Sequence, residues 1–409
     1  MNRKTLLSCL IAAVASGTGV NAYAAFVDDT RLNLELRNMF LNRDMPDANS
    51  ELREWAQGFT LRLNSGFTEG PVGFGVDAIA QLGVKLDSTP GGAGTGLLPN
   101  TPGEGAPDSF SELGVAVKAR VSSTTLAVGT VQPRLPVVAF NDVRLLSSTY
   151  TGVTLNSREV EGLDLNAVYL TEVNRRDSSN REKIKSSANI ESDSFTALGG
   201  SYAISKGLIA SYYYAQMEDV YAQHYLGAMH NTVLSEGVRL RTDLRYFITE
   251  DTGAKKGGTI DNDLFSGMVT LGIGGHSVGL GYQNLSGTGR FQYPELDPHN
   301  VNLSTFHPFD TEEMDAWQVR YDYNFAGVGV PGLHFMTRYV HAENVKLGAV
   351  TDGTQWERDT DIAYVVQSGS MKGLDLRLRN ATFRQGNGLK APGAVDEWRV
   401  IVGYKLDLL

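Results

Sequence analysis

Apolar and polar residues alternate one for one over segment after segment of this chain. In the last segment Trp398, Val400, Val402, Tyr404, Leu406 and Leu408 share one parity, while Arg399, Lys405 and Asp407 share the other. Val238, Leu240, Leu244, Tyr246 and Ile248 likewise oppose Arg239, Arg241, Asp243 and Arg245. Trp317, Val319, Tyr321, Tyr323 and Phe325 oppose Gln318, Arg320, Asp322 and Asn324. A period of two sends successive side chains to opposite faces of an extended strand, so each segment predicts a β-strand with one apolar and one polar face. A magnitude decides which face meets lipid if the strands lie in a membrane. An arginine at the bilayer midplane costs roughly 2 to 4 kcal/mol, so three on one strand must face away from it. A soluble β-sandwich alternates too, but its polar face is mixed and lysine-rich, whereas here it bears arginine repeatedly.

The connections between segments alternate in length. Short ones fall near Glu69 to Val72, Ser122 to Thr124, Glu159 to Gly162, Ser205 to Gly207, Gly274 to His276 and Ser370 to Gly373. Long ones, rich in Gly and Pro, fall near Ser88 to Phe110, Gln132 to Ser147, Arg175 to Ser194 and Ser286 to Met314. That asymmetry is the one between periplasmic turns and extracellular loops, and counting segments gives about eighteen strands with both termini periplasmic. The predicted fold is therefore all-β, a transmembrane antiparallel barrel. A barrel of that size leaves an aqueous channel unless inward-folded loops constrict it.

The N-terminus fits this destination. Residues 1–24 carry a basic start (Arg3, Lys4), an apolar run from Leu6 to about Val14, and a small-residue stretch ending Ala22-Tyr23-Ala24. They read as a secretory signal peptide that is removed, which leaves residues 25–409 as a single barrel domain. Leu6-Leu7-Ser8-Cys9 resembles a lipoprotein box, but cleavage there would strand most of the apolar run on the wrong side. No later stretch approaches 18 consecutive apolar residues, so no transmembrane helix is predicted. The only cysteine, Cys9, lies in the signal peptide, which excludes disulfides and thiolate metal sites from the exported chain.

Charge sharpens the picture. Arginine outnumbers lysine 24 to 12 although the formal net charge is −10, so an acidic protein has gathered its arginine somewhere particular. Other chemistries lack their patterns. The seven histidines are scattered with no HExxH or GxSxG motif, which argues against an outer-membrane hydrolase. Asp261-Asn262-Asp263 and Glu312-Glu313 lack the glycine and distal glutamate of a calcium loop, and Gly91 to Gly96 lacks the lysine of a phosphate loop. No cofactor or metal is expected. Arg175, Arg176, Lys183 and Lys185 are too interleaved with acids for a nucleic-acid surface; they read as an anion funnel at the mouth or as contacts to lipopolysaccharide.

Several stretches, in this order, resemble the OprD or Occ family of substrate-specific outer-membrane carboxylate channels over nearly the whole exported chain. They include LRNMFLNRD (Leu36 to Asp44), EWAQGF (Glu54 to Phe59), SGFTEGPVGFGVDA (Ser65 to Ala78), GTGLLP (Gly94 to Pro99), YAIS (Tyr202 to Ser205) and MEDVYAQHYL (Met217 to Leu226). WQVRYD (Trp317 to Asp322), GVPGLHFMTRYV (Gly329 to Val340), YVVQSG (Tyr364 to Gly369) and EWRVIVGY (Glu397 to Tyr404) follow. The resemblance, closest in character to the OccK-like branch for aromatic and small carboxylates, implies eighteen strands, inward-folded loops and an arginine ladder down one wall. It implies ladder roles for Arg43, Arg144, Arg377, Arg379 and Arg399. Arg37, Arg320 and Arg338 are motif arginines that the alternation also points inward. Arg239, Arg241 and Arg245 rest on the alternation alone. The third loop, VQPRLPVVAFNDVRLLSSTYTG, implies a constriction formed by Arg134, Asp142 and Arg144. Ser147 stands where the family often has proline, a departure expected to loosen this loop. Leu408-Leu409 lacks the closing phenylalanine usual in barrels.

Arginine suits the task because its charge does not titrate away and its fork grips a carboxylate bidentately. One deep site would hold a solute too long, whereas a ladder of near-equal sites lets it move on. Asp77, Asp243 and Asp322 read as lumen-facing acids that neutralise a crowded basic wall. The expected function is passive uptake of small carboxylate solutes, with benzoate-like aromatic acids first. Amino acids and di- or tricarboxylates are the alternatives within the family, and a general porin serving as adhesin or receptor is the alternative outside it. The expected partners are those solutes, outer-membrane lipid and lipopolysaccharide, with the chain a monomer or loose trimer.

Overall fold

A computed structural model describes residues 26–88, 92–101 and 104–409. The proposed signal peptide lies outside the described residues. The rest is strand and connecting loop, with almost no helix. The first seven strands are β1 Arg31–Met45, β2 Ser50–Asn64, β3 Gly73–Ser88, β4 Ser109–Val121, β5 Thr124–Val131, β6 Thr149–Ser157 and β7 Leu163–Asn174. Then come β8 Phe195–Ala203, β9 Leu208–Met217, β10 Tyr221–Ser235, β11 Val238–Asp251, β12 Asp261–Ile273 and β13 His276–Thr288. The last five are β14 Asp315–Asn324, β15 Leu333–Leu347, β16 Val350–Val365, β17 Asp375–Gly386 and β18 Val395–Asp407. Each pairs antiparallel with its neighbours in sequence, and β1 pairs β18 from Asn33 opposite Asp407 to Asp44 opposite Asp396, which closes an eighteen-stranded barrel.

Closure leaves no unpaired edge, and the alternation then sorts side chains between outside and inside. On β4 Leu113 is 71% exposed while its neighbour Glu112 is only 9% exposed. Val115, Val117, Leu126 and Val128 continue this bare apolar outer surface. An apolar surface of that extent is compatible with lipid and not with water. The interior is correspondingly polar: Gln81, Gln223, Gln283, Gln318, Glu357, Asp359 and Glu397 are all buried on the lumen side.

Apolar packing inside the barrel occurs where loops fold in. The third loop (132–148), the fourth (175–194) and the seventh (289–314) all enter the lumen. Val137, Val138 and Phe140 of the third loop and Phe291, Tyr293 and Phe309 of the seventh join one large cluster with wall residues such as Tyr225 and Phe247. Leu145 and Leu146 join a second cluster with Leu97, Leu98, Met39, Leu41 and Ala56. Leu145 approaches β2 so closely that a side chain at Gly58 would put its Cβ 3.0 Å from the Leu145 Cγ and carbonyl oxygen. Glycine at that position is what lets the loop lie against the wall.

Polar anchors complete the plug. Glu357 accepts the backbone N–H groups of Phe306 and His307, both at 2.8 Å, and Asp359 accepts that of Thr305 at 3.1 Å. Glu295 of the seventh loop takes the Arg175 guanidinium at 2.7 Å and the Lys185 N–H at 2.9 Å. Two expectations need correction. Not every extracellular connection is long, because 46–49, 218–220 and 348–349 are tight turns. Ser147 does not loosen the third loop: its N–H and hydroxyl both donate to Gln81 Oε1, at 3.1 and 3.0 Å, and Arg62 and Gln132 donate to its hydroxyl. A proline there would have no N–H to give.

Candidate functional site

Strand parity carries six arginines into the lumen along one contiguous sector of wall. They are Arg43 on β1, Arg320 on β14, Arg338 on β15, Arg377 and Arg379 on β17, and Arg399 on β18. Two cavities hollow this region. One, of about 810 Å³, lies under the fourth and seventh loops along β13 to β17, and eight arginines contribute to its lining. The other, of about 460 Å³, lies along β1, β2, β17 and β18 and includes Arg37, Arg62 and Asp142. The two meet where Val143 and Arg144, at the tip of the third loop, face Asp375, Arg377 and Arg379 of β17.

Most of the wall arginines are paired rather than free. Glu397, fully buried on β18, accepts Arg43 at 2.6 Å through one oxygen and Arg399 at 2.5 Å through the other. Asp361 takes Arg379 at 2.7 Å and Arg377 at 3.7 Å, Asp359 takes Arg338 at 2.6 Å, and Asp322 takes Arg320 at 2.7 Å. Several guanidiniums also hold the seventh loop: Arg399 donates to the Thr305 carbonyl and Arg338 to that of Leu303, each at 2.7 Å. The Phe306 ring lies beneath the Arg43 guanidinium, 5.2 Å from its centroid, and lines the larger cavity.

The loops supply the excess positive charge. Arg144 hydrogen-bonds only backbone carbonyls, those of Val143 at 3.2 Å and Thr95 at 3.4 Å. Burial, with Arg399 and Arg176 close by, holds its pKa well below the usual arginine value. Arg176 of the fourth loop donates to Asn141 Oδ1 at 2.7 Å, and burial brings its pKa down to about 10. Among the described residues neither guanidinium has a carboxylate within ion-pair distance. Arg43, Arg144 and Arg399 therefore gather about one carboxylate, Glu397, while Arg176 beside them feels Asp177 and Asp297, and the spot favours an incoming anion. The acidic side of the cavity is Asp297 of the seventh loop, whose pKa burial pushes up to about 6 against the pull of Arg176 and Arg134.

The remaining candidates from the sequence are dispersed. Arg37 donates to Asp142 Oδ1 at 2.8 Å and to the Arg144 carbonyl at 2.5 Å, so Arg37 and Asp142 hold the third loop against β1 beside Arg144. Arg134 lies away from that tip; it stacks on Phe140 at 4.1 Å and lines a separate cavity of about 370 Å³ with Arg62 and Asp77. Arg239, Arg241 and Arg245 share the lumen parity of β11 with Asp243, which pairs Arg245 at 2.8 Å and Arg241 at 3.5 Å, and none of the three lines these cavities. Arg175 and Arg176, expected at the mouth, are instead inside among the loops. Sequence reasoning passed over Glu397, Asp359, Asp361, Asp297 and Phe306, and set Arg176 at the mouth rather than in the site. For the strand acids a signal was present: Glu357, Asp359 and Asp361 alternate with Trp356, Arg358, Thr360 and Ile362, an acidic strand made to mate the LRLRN strand beside it.

Comparison with known proteins fits this architecture. Residues 24–408 match the family model described as outer membrane porin, OprD family. Porin D of Pseudomonas aeruginosa is 37% identical, over 94% of this chain and 92% of that protein. The crystal structure of P. aeruginosa OccK9 (OpdG) superposes with a TM-score of 0.90 at 39% identity, covering 94% of this chain and all of that one. That of P. aeruginosa OpdK with vanillate superposes with a TM-score of 0.87 at 35% identity, covering 93% and 100%.

Proposed function

This chain belongs to the OprD family of outer-membrane porins, and from that premise we propose that it is a passive, substrate-selective channel for small solutes bearing a carboxylate. The observation that carries the reading is the gathering of Arg43, Arg144 and Arg399 about the single carboxylate of Glu397, with Arg176 close to Arg43 and Arg399 and with Arg377 and Arg379 opposite the Arg144 loop tip. A carboxylate entering there replaces missing negative charge and meets forked donors. The substrate class this reading favours is an aromatic acid, since the Phe306 ring lies against the same basic cluster and a relative at 35% identity, OpdK, has a crystal structure with vanillate. Asp297, with no ion pair among the described residues, favours a second reading in which the solute also carries an ammonium, as an amino acid does.

In this reading the solute touches Arg144, Arg176, Arg377 and Arg379. Arg43, Arg338 and Arg399 chiefly hold the loops, Arg37 and Arg320 flank the path, and Arg239, Arg241, Arg245 and Arg134 shape the field at a distance. The charged wall lowers the barrier by replacing hydration at several near-equal stations. We also propose that the protein performs no catalysis, that residues 1–24 are removed on export, that 25–409 form one domain, and that the chain works as a monomer or loose trimer. The test is single-channel current in a planar bilayer for wild type and Arg379→Ala, with benzoate, a dicarboxylate and arginine added in turn. Block or permeation by an acid that weakens in the variant supports the reading; a large conductance that no acid perturbs refutes it in favour of a general porin.

A further inference from the structure

Arg358 is a polar outlier on the outer face of the barrel. It points outward from the middle of β16, while its neighbours Glu357 and Asp359 are fully buried on the lumen side. Its guanidinium makes one weak contact, Nη2 to the Thr382 hydroxyl at 3.5 Å, and among the described residues it has no carboxylate partner. The other polar groups on this part of the outer face are satisfied within the barrel. Arg384 donates to the carbonyls of Phe383 and Val395 and to Asp396, at 2.8, 3.0 and 2.8 Å. Thr337 donates to the Asp359 carbonyl at 2.9 Å, Asn380 donates to that of Glu397 at 3.2 Å, and Glu343 is engaged by His341 at 3.3 Å.

Height on the barrel and the aromatic surroundings say what could approach. β16 descends from the extracellular end at Val350 to the periplasmic end at Val365. With a rise of ~3.3 Å per residue and a tilt of ~40°, Arg358 stands about 18 Å up an apolar band ~25 Å tall. From there a long side chain snorkels to the headgroups of the outer leaflet. Its cross-strand neighbour Tyr339 belongs to an outward cluster with Trp317, His341 and Trp356, whose ring centroids lie 5.5 to 6.4 Å apart. All four tryptophans of the chain stand on β2, β14, β16 and β18, so this arc of the barrel carries the indole part of its interfacial girdle.

We propose that Arg358, Thr382 and the Trp356–Tyr339 rings form a docking site for a phosphorylated glycolipid of the outer leaflet. The phosphate rests on the Arg358 fork and the Thr382 hydroxyl, and the sugar lies against the rings. A phosphate monoester matches the geometry of the guanidinium and supplies the charge the barrel withholds. The site faces away from the lumen, so it stands or falls independently of the solute reading.

The test reconstitutes full-length wild type, Arg358→Gln, Arg358→Lys and Arg53→Gln in phosphatidylcholine nanodiscs containing a minor fraction of bisphosphoryl lipid A, dephosphorylated lipid A or phosphatidylglycerol. Lipid retained after detergent extraction is read by native mass spectrometry. Wild type should retain bisphosphoryl lipid A selectively, Arg358→Gln should lose about tenfold of it, and Arg358→Lys should fall between. Arg53→Gln, an exposed arginine paired with Asp87, should match wild type, and unchanged single-channel conductance of the Arg358 variants shows that the barrel is intact. Equal retention by Arg358→Gln overturns the proposal. So does equal retention of phosphatidylglycerol by wild type, which marks generic annular charge, or a change in oligomer size in Arg358→Gln, which marks a second copy of the chain as the occupant.

Discussion

Replacing Glu397 by glutamine tests how far the arginine wall depends on one carboxylate. Glu397 has no exposed surface, and its two oxygens take Arg43 and Arg399, the latter with only 1% of its side chain exposed. Each close pair is worth roughly 4 kcal/mol of attraction at an effective dielectric of 20 before desolvation is subtracted. Glutamine keeps the shape but has a single acceptor, and its amide donors point at guanidiniums that can only donate. One guanidinium keeps a weaker, neutral acceptor and the other is left charged and unpaired in a buried place. The expected loss is about 3 to 5 kcal/mol of barrel stability, the scale for breaking a buried pair from one side. Because the group is out of solvent, the loss should persist at high salt. The assay is urea unfolding in lipid vesicles followed by tryptophan fluorescence, at low and high salt. Adding Arg399→Met should recover at least half of the loss, since it removes the orphaned charge. A loss below about 1 kcal/mol, or one that salt abolishes, would show that the cluster is solvated like a surface pair and refute the reasoning.

Three further outcomes follow from the same geometry. Gly58→Val should push Leu145 and the third loop off β2, destabilising the barrel by about 1 to 3 kcal/mol and raising single-channel conductance, because the added atoms meet both the Leu145 side chain and its carbonyl at 3.0 Å. Ser147→Pro should cost about 1 to 3 kcal/mol and add open-channel noise, since it removes the N–H and hydroxyl donors to the buried Gln81 carbonyl oxygen. Asp297 is neutral below its pKa of about 6 and anionic above it, so acidification through that pH should raise the anion-to-cation permeability ratio, measured as reversal potential in a salt gradient. Asp297→Asn should hold the ratio at its acidic value at every pH.

Much of this was readable along the chain. Where both the facing of a residue and its chemistry are local, as for Arg320 beside Val319 or Arg379 beside Leu378, a period of two and the penalty for arginine in lipid sufficed. The even strand number and the entry of the long third and seventh connections into the lumen followed from the same alternation and from loop length, whereas the fourth was read as lying at the mouth. Arg175 and Arg176 were misplaced because a dipeptide in a long loop has no periodicity to orient it. Their positions come from Glu295 and Asn141, partners 120 and 35 residues away. Ser147 was misjudged for a similar reason, since its anchor Gln81 lies on another strand.

The sequence by itself determined the class of fold, the inward face of each strand and the concentration of arginine on that face, because all three are set by alternation and by the incompatibility of charge with hydrocarbon. Only the tertiary structure decided which arginines are neutralised. Arg43 meets Glu397 across 354 residues because closure lays β18 beside β1 in one register, and a shift of one residue would send every partner to the other face. The loop arginines Arg144 and Arg176 keep their unmatched charge for the opposite reason: no ladder brings them a carboxylate, and packing of the inward loops holds them where an arriving anion can.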